Sequence, residues 1–167
     1  IIRARIAIDS GNYEIALKML TEALDAYQGL EQADLYARSQ QQLGRARAAT
    51  GDLQGAKDAF ARAEKAFLSL NDVVQSAYCL IGLAHVARQQ EDFARASELA
   101  SAARSDFEAA GARAGVAATD HLRGDVARFK GNVIEAEEHY RSALELYELV
   151  GSRQSIRVEL DLSFLLI

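Results

Sequence analysis

With 167 residues, half of them apolar, the chain has enough hydrophobic material for the core of one domain, which excludes global disorder. Its single cysteine excludes an internal disulfide and a cysteine-rich zinc site, and no apolar run reaches the roughly 20 residues of a membrane span. Nineteen basic against 24 acidic side chains leave a net charge of −5, which disfavours nucleic acid as the main partner.

Zero proline and 32 alanines, with abundant Leu, Glu, Arg and Gln, point to an all-α chain. In chain order, apolar spacing and turn residues predict helices over about 1–10, 13–29, 33–50, 53–70, 73–90, 93–110, 113–130, 133–150 and 153–167, about nine in all. The fourth shows the pattern best: Leu53, Ala56, Phe60, Ala63, Phe67 and Leu70 form one amphipathic stripe. No secretory signal opens the chain, and the expected compartment is the cytoplasm. The first residue is Ile1 rather than Met, and the last four are Phe164, Leu165, Leu166 and Ile167. Such apolar ends are expected to be covered by further chain, as in an excerpt of a larger protein.

The elements repeat every 40 residues. Gly11-Asn12, Gly51-Asp52, Glu91-Asp92 and Gly131-Asn132 share one column. Glycine there suits the left-handed turn past a helix end, and Asn or Asp suits the N-cap of the next helix. Ala16, Ala56, Ala96 and Ala136 form a second column; Ala23, Ala63, Ala103 and Ala143 a third. Tyr27, Phe67, Phe107 and Tyr147 are aromatic, and Leu20, Phe60, Ala100 and Tyr140 are mostly large. Ala4, Gly44, Ala84 and Gly124 stay small. Small residues let helices approach, and large ones fill the space around them. Helices ending near the Gly-Asn/Asp column are termed A and those following it B. The repeats are an incomplete one over about 1–30, then 33–70, 73–110 and 113–150, with a trailing helix over 153–167. Units that contact mainly their neighbours build a solenoid.

The columns Gly44, Ala56, Phe60, Ala63 and Gly124, Ala136, Tyr140, Ala143 resemble the tetratricopeptide repeat, as do Ala84, Ala96 and Ala103 with Ala100 in the aromatic place. The chain departs from that family in its 40-residue period, against about 34, and in lacking proline. The longer form is similar to repeats of bacterial multidomain regulators and of scaffold proteins. The resemblance implies one repeat domain over 1–167, a right-handed superhelix of antiparallel helix pairs with the A helices lining a concave face.

Segments 33–50, 73–90 and 113–130 carry eight basic residues against Asp34, Asp120 and Asp125, whereas the B segments are net acidic. A basic A face favours an acidic or carboxylate-bearing segment. The family's groove positions carry over to Arg38, Gln41, Arg45 and Ala48, to Tyr78, Ile81, His85 and Arg88, and to Ala118, His121, Asp125 and Arg128. Tyr78 and Ile81 would make an apolar pocket, and Arg45, Arg88 and Arg128 would fork anions. The chaperone-adaptor clamp is not reproduced by Gln41-Arg45, Ile81-His85 or His121-Asp125.

No nucleophile and base converge, so no enzyme is expected. His121 and Asp125, one helical turn apart, read as a surface pair; a metal would need a third ligand, His85 being the candidate, and neither metal nor cofactor is expected. His139 reads as solvated surface and Cys79 as a small buried residue. The function expected is a non-catalytic protein-interaction module in a bacterial signalling or transcription-regulatory protein, binding a protein or peptide, without direct nucleic-acid or membrane binding. The alternatives are a peptide- or ligand-sensing domain that switches an attached effector, and self-association through the apolar ends.

Overall fold

The computed structural model describes residues 1–27 and 32–165. Among them lie nine α-helices and no strand: α1 (Ile2–Asp9), α2 (Tyr13–Tyr27), α3 (Ala33–Thr50), α4 (Leu53–Ser69), α5 (Val73–Gln89), α6 (Phe93–Ala109), α7 (Arg113–Phe129), α8 (Val133–Leu149) and α9 (Gln154–Leu165). Odd-numbered helices are the A helices and even-numbered ones the B helices. The expected ends of the second and ninth helices, and the apolar terminal pair Leu166 and Ile167, lie outside the described residues. No helix among the described residues is long and apolar enough to cross a membrane.

The turns follow the repeat. After α3, Asp52 N–H donates to Arg47 C=O at 2.9 Å and Gly51 N–H to Ala48 C=O at 3.3 Å, with Gly51 at φ 85°. This is the Schellman closure of a helix end, which needs a left-handed residue. Gly131 repeats it at φ 81°, but Glu91 fills the same place at φ 61° without glycine's freedom. The carboxylates of Asp52, Asp72 and Asp92 then accept the N–H of Gly55, Gln75 and Arg95, capping α4, α5 and α6. Asn132 departs from its expected role: its amide donates to Glu135 at 3.0 Å, and its side chain makes no cap bond to α8.

The helices divide into two compact units, Ile1–Val86 and Ala87–Ile167. In the first, Ala4, Ile8, Ala16, Leu20, Leu24, Leu43, Ala46 and Ala59 make one core cluster. Ala37, Ala63, Phe67 and Cys79 make another, and Ala56, Phe60 and Val86 a third. In the second, Ala117, Ala127, Ala136, Tyr140, Ala143, Tyr147 and Val158 cluster together. The small and large columns therefore meet. Phe60 packs on Gly44 and Gly82, Phe107 on Gly115, and Tyr140 on Gly124, where a β-carbon would collide with the ring.

Candidate functional site

The first unit spreads its candidate residues along α3 and α5. Arg38 donates from Nε to both oxygens of Asp34 at 2.8 and 2.9 Å, and this hydrogen bond raises its pKa. Arg45 is exposed, with Nη1 donating to Gln42 at 3.0 Å and Nη2 to Asp9 of α1 at 3.3 Å. Gln41 Nε2 points to Cys79 Sγ at 3.7 Å. Burial pushes the Cys79 thiol up to about 12, with the Gln41 contact pulling the other way, so Cys79 is an inert packed thiol. Ile81 is buried at 7% exposure, while Tyr78 is half-buried and its hydroxyl pKa is raised by burial. Tyr78 is therefore the surface member of that couple. Ala48 and His85 are half-buried on the same two helices.

In the second unit the geometry differs from a surface His–Asp pair. Asp125 is buried at 6% exposure and accepts the Tyr140 hydroxyl at 2.8 Å. His121 turns instead to α9, where its Nε2 lies 2.7 Å from Asp161 Oδ2. The Tyr140 ring meets the His121 ring edge-on, with centroids 5.7 Å apart. Burial and the Asp125 charge raise the Tyr140 pKa, which keeps its proton on the hydrogen bond to Asp125. Arg128 donates from Nε to the Tyr140 oxygen at 3.1 Å.

Beside this cluster, the guanidiniums of Arg88 and Arg128 lie 4.8 and 4.7 Å from the centroid of the Phe129 ring. Phe129 is 52% exposed, and Arg88 Nε is buried with no hydrogen-bond partner among the described residues. On the other side of α7, Asp120 is 1% exposed and bonded to Arg104 of α6 and, at 2.8 Å, to Ser142 of α8. Asp120 and Asp125 are thus consumed internally, and the surface of α7 is more basic than its residue count. Ala118, another groove position on α7, is half-buried.

Sequence reasoning missed four participants: Asp161, Asp120, Tyr140 as a hydrogen-bond donor, and Phe129. The repeat carried a signal for the first, since Asp161 occupies the His121 column one period on. Arg88 and Arg128 share a column in the same way. His139, read as solvated, is only 20% exposed at its side chain, and burial lowers its pKa, with Arg123 adding to the effect.

Antiparallel helix pairs joined by Schellman turns, with small columns packed on large ones, define the class as a helical-repeat solenoid. The sequence model of the tetratricopeptide repeat family matches residues 2–69. The sequence match lies over that segment alone, and the likeness beyond it is one of fold. BtubC (BKLC) from P. vanneervenii is similar in fold at TM-score 0.75 and 20% identity, over 97% of this chain and 68% of that one. A putative kinesin light chain from Podosopora anserina, with nearly identical repeats of this type, gives TM-score 0.69 at 17% identity, over 97% and 81%. A Rap protein complexed with competence and sporulation factor gives 0.67 at 17%, over 97% of this chain and 50% of that one. No curated protein matches the sequence.

Proposed function

We propose that the chain is a non-catalytic interaction module that binds an acidic peptide or partner segment on exposed faces of its A helices, within a cytoplasmic bacterial regulatory or signalling protein. The observation that carries this reading is Phe129, half exposed between the guanidiniums of Arg88 and Arg128. The ring offers an apolar seat, and the two forks offer bidentate partners for a carboxylate. Asp120 and Asp125 are buried, so α7 carries no exposed acid beside those cations, and Arg128 reaches Asp125 only at 3.9 Å. A solved Rap protein of the same fold holding competence and sporulation factor supports a bound partner for this architecture. The non-catalytic reading rests on the fold class.

The test is selection of binding peptides from a random displayed library, followed by fluorescence anisotropy on wild type, Arg88→Glu/Arg128→Glu and Arg45→Glu. Circular dichroism first confirms folding. Acid-rich selected sequences that bind the double variant about tenfold more weakly, a difference of about 1.4 kcal/mol, are expected. Unselective sequences, or equal binding by the double variant, would remove recognition from these arginines.

A further inference from the structure

We propose that His121, Asp125 and Asp161 form a binding site for a divalent transition-metal cation of the zinc class, clasping α9 to α7. The site adjoins Arg128 of the peptide-binding reading but does not rest on that reading. One ligand atom from each residue, the imidazole nitrogen and a carboxylate oxygen from each aspartate, all lie within 4.8 Å of one another. An imidazole with two carboxylates is a donor set for Zn²⁺, Co²⁺ or Mn²⁺ rather than for the oxygen-only sites of Ca²⁺ and Mg²⁺. Three protein ligands leave a position open to water or to a partner's side chain.

The environment is built for it. His121 and Asp125 are one helical turn apart on α7, so both lie on one helix face, although His121 now bonds Asp161 and Asp125 bonds Tyr140. Tyr140 holds one oxygen of Asp125 by its 2.8 Å hydrogen bond and leaves the other for a ligand bond. That is the outer support which orients a metal-binding carboxylate. The edge-on Tyr140 ring fixes the imidazole plane. A cation seated between the two carboxylates would compensate their charge. Arg128 supplies only part of that compensation: its Nη2 is 3.9 Å from Asp125 and its guanidinium is spread over Phe129. Ligand atoms around a tetrahedral cation with bonds of about 2.1 Å stand about 3.4 Å apart, so closing the shell draws these atoms in by up to about 1.4 Å and opens the 2.7 Å contact between His121 Nε2 and Asp161. Asp161, 26% exposed at its side chain, would exchange its 2.7 Å hydrogen bond with His121 for the cation. The cation would add a bridge to α9, in which only Val158 is buried.

The experiment uses the untagged chain stripped with a chelator. Zn²⁺ is titrated by calorimetry, Co²⁺ is followed by its visible absorption, and the thermal midpoint is recorded with and without Zn²⁺. Expected are a single equivalent bound, ligand-field bands from a nitrogen–oxygen site, and a higher midpoint. The isosteric variants Asp161→Asn and Asp125→Asn, with folding confirmed by circular dichroism, are expected to weaken binding at least about tenfold and to lose the midpoint shift. Absence of Co²⁺ bands and Zn²⁺ heat in the wild type overturns the proposal. So does binding that survives in both variants, since the cation would then sit elsewhere.

Discussion

Phe60 lies with its ring against the backbone of Gly44, so close that a β-carbon at Gly44 would come within 2.9 Å of three ring atoms. The ring is 3% exposed and its neighbours Ala56 and Val86 are fully buried, so it has nowhere to retreat. Gly44→Ala gains about 1 kcal/mol of helix propensity but overpacks the contact by about 1–3 kcal/mol, and a net loss is expected in chemical denaturation. Phe60→Ala and Phe67→Ala empty the space instead and should each cost about 3–5 kcal/mol. A loss well below 1 kcal/mol at both phenylalanines would refute the interlocking of the columns.

Glu91 is held at φ 61°, where the corresponding residues Gly51 and Gly131 pay no steric penalty. Glu91→Gly should therefore stabilise the chain by about 1 kcal/mol, although glycine adds entropy to the unfolded state. A guanidinium chloride midpoint that moves upward with an unchanged slope is the expected reading. A downward shift would show that the Glu91 side chain makes a stabilising contact.

Asp120 joins three helices, bonding Arg104 of α6 and Ser142 of α8 from a position 1% exposed on α7. Asp120→Ala strips the partner from a guanidinium that is itself only partly buried and retains Glu108 at 2.8 Å. The expected loss is about 2–4 kcal/mol, below the full cost of a wholly buried pair. Asp120→Asn keeps a group able to bond Ser142 and should lose less. Equal losses for the two variants would assign the stabilisation to the charge rather than to packing or the Ser142 hydrogen bond.

Two titrations contribute to the pH dependence of stability. Cys79 rises from its ordinary 9.0 to about 12 on burial, so the unfolded chain releases this proton first. Its contribution is complete below about pH 9 and is lost as pH rises toward 12. His139 is shifted the other way, below its ordinary 6.5, by burial and by Arg123. Its contribution is present above pH 6.5 and is lost as pH falls through the lowered value. Cys79→Ala should flatten the alkaline slope of stability against pH, and His139→Gln the acid slope. Slopes unchanged by either substitution would contradict the burial of these groups. The Cys79 thiol is also expected to resist alkylation at pH 8 until denaturant is added.

The helices, their turns and the pairing of small with large residues were legible because they depend on local spacing and repeat in phase. Gly51 announces its left-handed turn, and Asp52 its cap, without reference to any distant residue. Ala56, Ala96 and Ala136 are fully buried where the period places them. Charged and polar side chains were less legible. His121 and Asp125 share a helix face in any α-helix, yet one bonds Asp161 and the other Tyr140. Asp120 counts as a surface acid in a tally of charges and is in fact sealed between Arg104 and Ser142. Backbone conformation follows from residues a few places apart, so it can be read along the chain. Which partner satisfies a charge, and how much water remains around it, depends on side chains that only the packed helices bring together.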